Sequence, residues 1–272
     1  MPLKISALLT AILVCVATIA HADSVLDHAR SRGHLVGAAV PDKLPLAARD
    51  ASGSLTGFDI AVAEELGKRL GLPVQFVTPG WDAILAGNWG DGWDYAVASI
   101  TPTPRRAEKL SFPAVYRMEA AVVVVRADEK KVERIRQVSG KSIGVMGKTT
   151  FEKYLRHDLS LDDGNVVVAY LIDDPKIQTF ETNDEALQAL TTGKVDAVIT
   201  SLGIAAATKK AGQPVKTLPG FLYFEPVAVA TAKGDPKFDS AIAEAVEDMR
   251  GDGTLSRLSI QWFGIDLSTI IP

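Results

Sequence analysis

Ala120 and Ala121 are followed by four valines, Val122 to Val125, with no polar side chain interrupting the run. β-Branched side chains suit the pleated backbone, and a run without polar alternation has no face to give to water. It predicts a strand buried on both sides, and therefore layers of other structure above and below it.

The rest of the chain has the pattern to supply those layers. Residues 35–40 read as a first strand, followed by Phe58, Val62, Leu66 and Leu70 at four-residue spacing, one apolar stripe on a helix that Gly71 stops. Residues 74–77 are the next strand, 81–86 a short helix and 95–99 a third strand. A second unit repeats the alternation: strand 142–145, helix 151–156, strand 166–169, helix 184–190, strand 195–200. Phe238, Ile242 and Val246, then Leu255, Leu258 and Trp262, form two closing helical stripes behind a strand near 225–231. Short strands alternating with amphipathic helices predict an α/β chain, here two similar α/β lobes joined by crossing segments.

The first residues predict export. Lys4 precedes an apolar run over 5–20, shorter than the ~20 residues a bilayer span needs, and Ala20-His21-Ala22 sets small residues where signal peptidase cuts. Residues 1–22 are expected to be a signal peptide removed after Ala22. Cys15 follows Val14 where a lipid-attachment motif wants a small residue, so lipidation is not expected. Loss of Lys4 takes the formal charge from −4 to −5 and loss of Cys15 leaves no cysteine. Thiolate and disulfide chemistry are thereby excluded. His28, His34 and His157 have no metal-site spacing, so neither metal nor cofactor is expected. No basic tract offers a grip on nucleic acid.

Five motifs in order resemble the family 3 extracellular solute-binding proteins, the polar amino-acid receptors of ABC importers, over residues 33–266. Gly53-Ser54-Leu55-Thr56-Gly57-Phe58-Asp59-Ile60 resembles the opening of that family's first long helix. Thr101-Pro102-Thr103-Pro104-Arg105-Arg106, with Leu110-Ser111-Phe112 and Tyr116, resembles its ligand-clamp stretch. Gly193-Lys194-Val195-Asp196-Ala197-Val198, Asp252-Gly253-Thr254-Leu255 and Trp262-Phe263-Gly264 complete the series. The resemblance implies a type II periplasmic-binding-protein-like fold, with lobe 1 at 23–117 and 224–272, lobe 2 at 118–223, and a two-segment hinge near 113–120 and 220–226. It implies a periplasmic monomer that catches a small carboxylate-bearing metabolite for an inner-membrane ABC permease.

By the same resemblance Arg106 clamps the ligand's α-carboxylate; a guanidinium fork matches a carboxylate with two parallel hydrogen bonds. Thr101 offers its amide and hydroxyl, and Ser99 its carbonyl. Trp81 is the aromatic that packs on the ligand, while Trp89, Trp93 and Trp262 read as packing residues. Thr149 and Thr150 open a lobe 2 helix whose free amides would meet the same carboxylate, although Lys148 stands where the family carries glycine and N-capping is a rival role.

Two departures leave the ligand open. Ser201 occupies the position of the acid that holds the ligand's ammonium in the amino-acid receptors, and no Asp or Glu lies between Asp196 and Glu225. Lys43 stands where an aromatic often lies. A cleft with Arg106 and Lys43 and no opposing acid would prefer an acidic or amine-free carboxylate, unless Asp42 or Glu225 supplies the missing charge. Dehydratases that resemble this family need a carboxyl general acid near the same place; Ser201-Leu202-Gly203-Ile204 offers none, so no enzyme activity is expected. A periplasmic accessory or sensory partner protein on the same fold is the other alternative.

Overall fold

The computed structural model describes residues 24–42, 44–161 and 168–268. The expected signal peptide and Lys43 lie outside the described residues, as do Val166 and Val167 of the strand expected at 166–169.

In chain order the elements are α1 (Val25–Arg32), β1 (Leu35–Ala38), β2 (Ala48–Arg49), β3 (Leu55–Thr56), α2 (Phe58–Arg69), β4 (Val74–Val77), α3 (Trp81–Ala86), β5 (Tyr95–Ile100), α4 (Pro104–Ala107) and β6 (Leu110–Arg126). A 3₁₀ turn at Ile135–Val138 leads to β7 (Ser142–Met146), α5 (Thr150–Leu155), β8 (Lys176–Phe180), α6 (Asn183–Thr191), β9 (Ala197–Ser201), α7 (Leu202–Lys210) and β10 (Val215–Thr217). The chain closes with β11 (Tyr223–Ala232), α8 (Pro236–Gly251) and α9 (Thr254–Phe263).

One mixed sheet runs in the order β4-β1-β5-β11-β6-β9-β7-β8, with β10 pairing β6. Its two ends are alike: β1 lies parallel between β4 and β5, and β7 lies parallel between β8 and β9. The long strands β6 and β11 join those ends antiparallel to each other. β6 pairs with β11 through Ala121 and from the same residue onward pairs with β9, so a single strand passes from one half to the other. Each half also uses an aspartate at a strand entrance in the same way. Asp94 accepts the Val36 amide at 2.7 Å and Asp196 the Ser142 amide at 3.0 Å, tying β5 to β1 and β9 to β7.

The valine run behaves as its composition dictates. Val122 to Val125 are all fully buried and alternate faces. Val123 and Val125 pack with Ile143, Tyr154 and Ile199, while Val122 and Val124 pack with Leu187, Leu190 and Ile204. Trimming one of them to alanine removes about 2 kcal/mol through lost burial and the cavity left behind. A separate core of Phe58, Leu66, Tyr95, Val227, Phe238 and Leu255 lies under the other half.

Strand 35–40 ends at Ala38, and the strand at Val168 and Ala169 is not formed. The partner of β7 is instead Lys176–Phe180. α7, not foreseen from periodicity, starts directly at the end of β9, and the hydroxyl of Ser201 caps it. The glycine of the Gly57-Phe58-Asp59 motif has a steric cause. Gly57 has φ 131°, and a Cβ there would stand 2.3 Å from the Leu46 carbonyl oxygen.

Candidate functional site

A small cavity of about 80 Å³ lies between the two halves and is lined by residues of both. Strand ends and helix starts of both halves border it, as expected where ligands bind α/β sheets at the carboxyl ends of strands. Ser99, Thr101, Arg106 and Trp81 line one wall, and Thr149, Thr150 and Ser201 line the other. Seven of the eight residues expected at a ligand site from the sequence therefore face one space; Lys43 lies outside the described residues.

Arg106 follows Thr103, whose hydroxyl caps the short helix α4 by accepting the Arg106 amide at 3.3 Å. This cap aims the half-buried side chain across the cavity. Nη1 donates to the Thr101 carbonyl at 2.9 Å and Nη2 to the Lys148 carbonyl of the opposite wall at 3.2 Å. The guanidinium also stands 5.2 Å from the Trp81 ring centroid, within cation–π range. Burial lowers the guanidinium to about 10, against the pull of Glu225. Trp81 donates its indole N–H to the same Lys148 carbonyl at 3.4 Å. Trp89 and Trp93 pack 5.4 Å apart in the cluster against which Trp81 leans, so the insertion around them supports the α3 wall.

The opposite wall is built from helix starts. Thr149 caps α5 by accepting the Glu152 amide at 3.3 Å, and its hydroxyl donates to Met146 O at 2.7 Å. Glu152 reaches back to the Lys148 amide at 2.6 Å, so the chain's own carboxylate meets that turn. Lys148 has φ +61°, the left-handed geometry that favours glycine, and its ammonium pairs with Asp82 across the cleft. Ser201 accepts the Ile204 amide at 3.2 Å.

The expectation of a cleft without opposing acids is corrected by the structure. Asp42, Asp59, Glu119 and Glu225 all line the cavity, beside Arg106 and Arg117. They arrive from a loop, a helix start and the two crossing strands; Asp42 and Glu225 are the two acids the sequence left open, and Asp59 and Glu119 join them. Asp59 accepts the Ser99 hydroxyl at 2.6 Å and the Tyr116 hydroxyl at 2.9 Å. Ser99 adopts φ 52°, and its hydroxyl also accepts Arg117 Nη2 at 2.8 Å. Arg117 Nη1 donates to Glu119 at 2.6 Å, both side chains being almost fully buried. Asp42 takes the Asn183 side-chain amide at 2.6 Å from the far wall. Glu225 takes the Thr150 hydroxyl at 2.9 Å. Burial raises Asp42 and Asp59 from their ordinary values and pushes Glu225 up to about 7. A sequence signal for three of these existed: Arg117, Glu119 and Glu225 are charges inside otherwise apolar strands.

This geometry, an arginine fork and polar helix starts facing each other over a closed space, suits capture of a small ionic solute. Residues 35–265 match the bacterial extracellular solute-binding proteins, family 3. The chain belongs to that family.

Among relatives of this solute-binding protein, the L-cystine-binding protein TcyJ of Escherichia coli strain K12 is 25% identical over 248 residues, 90% of this chain and 88% of that one. The L-cystine-binding protein TcyA of Bacillus subtilis strain 168 is 29% identical over 217 residues, 79% of this chain and 75% of the other. Among solved structures, the ancestral amino acid-binding protein AncCDT-1, a precursor of cyclohexadienyl dehydratase, shares 30% identity at a TM-score of 0.78, covering 88% of this chain and 100% of its own. The fold is the type II periplasmic-binding fold. The family binds solutes and its curated members are transport proteins, so this chain is a binding protein and not an enzyme. Among the described residues no helix is long and apolar enough to cross a membrane, and no cluster of His, Cys, Asp and Glu could hold a metal ion.

Proposed function

We propose that this solute-binding protein captures a small carboxylate-bearing metabolite, an amino acid or related organic acid, in the periplasm and delivers it to an inner-membrane ABC permease. Residues 23–117 and 224–272 act as one lobe and 118–223 as the other, closing about the crossing strands β6 and β11. Export through the 1–22 signal peptide and action as a monomer belong to the same reading. Relatives that carry amino acids for ABC transporters support the transport role.

The observation that carries the ligand class is Arg106. Among the described residues its guanidinium donates only to carbonyl oxygens, one from each wall. A carbonyl dipole answers a full charge incompletely, whereas a carboxylate accepts two charge-assisted bonds from the same fork. A ligand carboxylate arriving there meets a cation already aimed and held by Trp81. Arg106→Ala tests the reading. Calorimetry should show ligand binding weakened by about 2–5 kcal/mol, the usual cost of removing one partner of a buried charge pair, with the melting temperature nearly unchanged. Unchanged affinity in this variant removes Arg106 from the site and the carboxylate from the reading.

A further inference from the structure

The four carboxyl groups of the cavity are not equally committed. Asp59 has both oxygens engaged by hydroxyls, and Glu119 has one on Arg117 and the other on the Ala120 amide. Asp42 and Glu225 each have one oxygen engaged and a second, buried oxygen with no hydrogen-bond partner among the described residues. A buried carboxylate oxygen left unpaired is costly, so such an atom marks a place where a donor belongs.

We infer that Glu225, from the crossing strand β11, holds the α-ammonium of an amino-acid ligand whose carboxylate is taken by Arg106. The inference rests on the carboxylate reading above and narrows it to α-amino acids. An α-amino acid carries both charges on one carbon, so their partners must converge on a single point. Thr101 joins the two: its carbonyl holds Arg106 at 2.9 Å, and its hydroxyl lies near enough to Glu225 to lower the carboxyl's pKa without bonding to Oε2. Arg106 itself acts on the Glu225 carboxyl. Asp42 is held from the other wall instead: it sits against Asn183 at the start of α6, whose side-chain amide also reaches Met146 Sδ at 3.4 Å. Ser201, buried and neutral, spends its oxygen on the Ile204 amide and offers an ammonium no counter-charge.

The electrostatics around Glu225 agree with this assignment. Its carboxyl faces Arg106, Glu119, Tyr223 and the hydroxyls of Thr150 and Thr101, and burial outweighs the rest to bring it to about 7. An ammonium 3 Å away favours the carboxylate, so binding expels a proton wherever the empty site is protonated. Affinity therefore falls as the pH drops below about 7, by up to tenfold per unit.

The test titrates the purified protein with each protein L-amino acid, with L-cystine, and with the amine-free analogue of the tightest binder. Wild type should prefer the amine-bearing member by roughly thirtyfold or more. Glu225→Gln keeps the Thr150 hydrogen bond and the shape, and should erase that preference and flatten the pH profile. Asp42→Asn should change the ranking among side chains and keep the amine preference. An amine preference that survives Glu225→Gln, or one that disappears in Asp42→Asn instead, overturns the assignment. Wild type binding amine-free carboxylates but no amino acid overturns it too and leaves the carboxylate reading standing; no binding of either class defeats both.

Discussion

The two walls of the cavity solve the problem of buried polarity differently. The wall formed by β5 and the crossing strands uses ions: Arg117 and Glu119 pair at 2.6 Å, and Asp59, Ser99 and Tyr116 complete the network. The wall formed by the starts of α5, α6 and α7 uses neutral groups. Thr149, Thr182 and Ser201 cap their helices through side-chain oxygens, and Thr150 and Asn183 reach over to Glu225 and Asp42. Ions taken out of water hold only as a complete set, because each loses its solvation and depends on a specific partner. A neutral cap is a local bargain that costs little to lose. The first wall is therefore suited to fixing a ligand's charges, and the second to closing over whatever shape lies between.

The largest expected effect tests the ionic wall. Glu119→Ala leaves the Arg117 guanidinium, 0% exposed in its side chain, without its closest carboxylate. Removing one member of a buried pair costs about 3–5 kcal/mol, and urea denaturation should show a loss of that size with the slope unchanged. A loss below about 1 kcal/mol would mean that Asp59, acting through Ser99, already suffices for Arg117, and that the two walls differ less than their geometry suggests.

Ser201→Ala probes the neutral wall with a smaller change. It removes the cap on α7 and should cost about 1 kcal/mol, within the usual range for an N-cap serine. Ser201→Asp keeps an acceptor for the Ile204 amide but buries a new charge at a position 2% exposed, so it too should fall below wild-type stability. A cost for Ser201→Ala approaching that of Glu119→Ala would erase the contrast, showing the hydroxyl to be as deeply committed as the ions.

How far the sequence could be read follows the same division. The alternation of strands and helices was legible because burial leaves a periodic mark: Val122 to Val125 on β6, and Phe58, Val62 and Leu66 on α2, need no knowledge of partners. β8 was not, because its Lys-Ile-Gln-Thr-Phe pattern carries only two apolar positions, and pairing with β7 rather than composition makes it a strand. At the site, Arg106, Thr101, Ser99, Trp81, Thr149, Thr150 and Ser201 were found through their motifs. Asp42 and Glu225 stayed open as counter-charges in the sequence, because what brings them to the cavity is the crossing of β11 and the approach of α6, and a charge inside an apolar strand marks Glu225 without saying what it faces. Thr149 as a helix cap was open in the sequence and is visible in the hydrogen bonds; which role dominates depends on a ligand.

The smallest expected effect lies where the walls meet at the rim. Lys148 and Asp82 pair across the cleft with both side chains about two-thirds exposed, so the pair is screened by salt and adds little to folding. Its position gives it a different significance: Lys148 belongs to one half and Asp82 to the other, so in the proposed closing motion the contact would be made only in the closed form. Lys148→Ala should leave the unfolding transition in place and shift the open–closed balance slightly towards open, weakening ligand affinity at low salt. Raising the salt to about 0.5 M, where charges more than a few ångströms apart are screened, should bring wild type and variant together. Lys148→Gly adds a control, because it removes the same ammonium while relieving the left-handed backbone at φ +61°. If the ion pair is what matters, the alanine and glycine variants lose affinity equally and both converge with wild type in salt. If the backbone turn is what matters, they separate, and the separation persists at every salt concentration, because it alters how the Lys148 carbonyl is presented to Arg106 and Trp81. In that outcome the second wall contributes more than shape, since its turn would be setting the aim of the first wall's arginine.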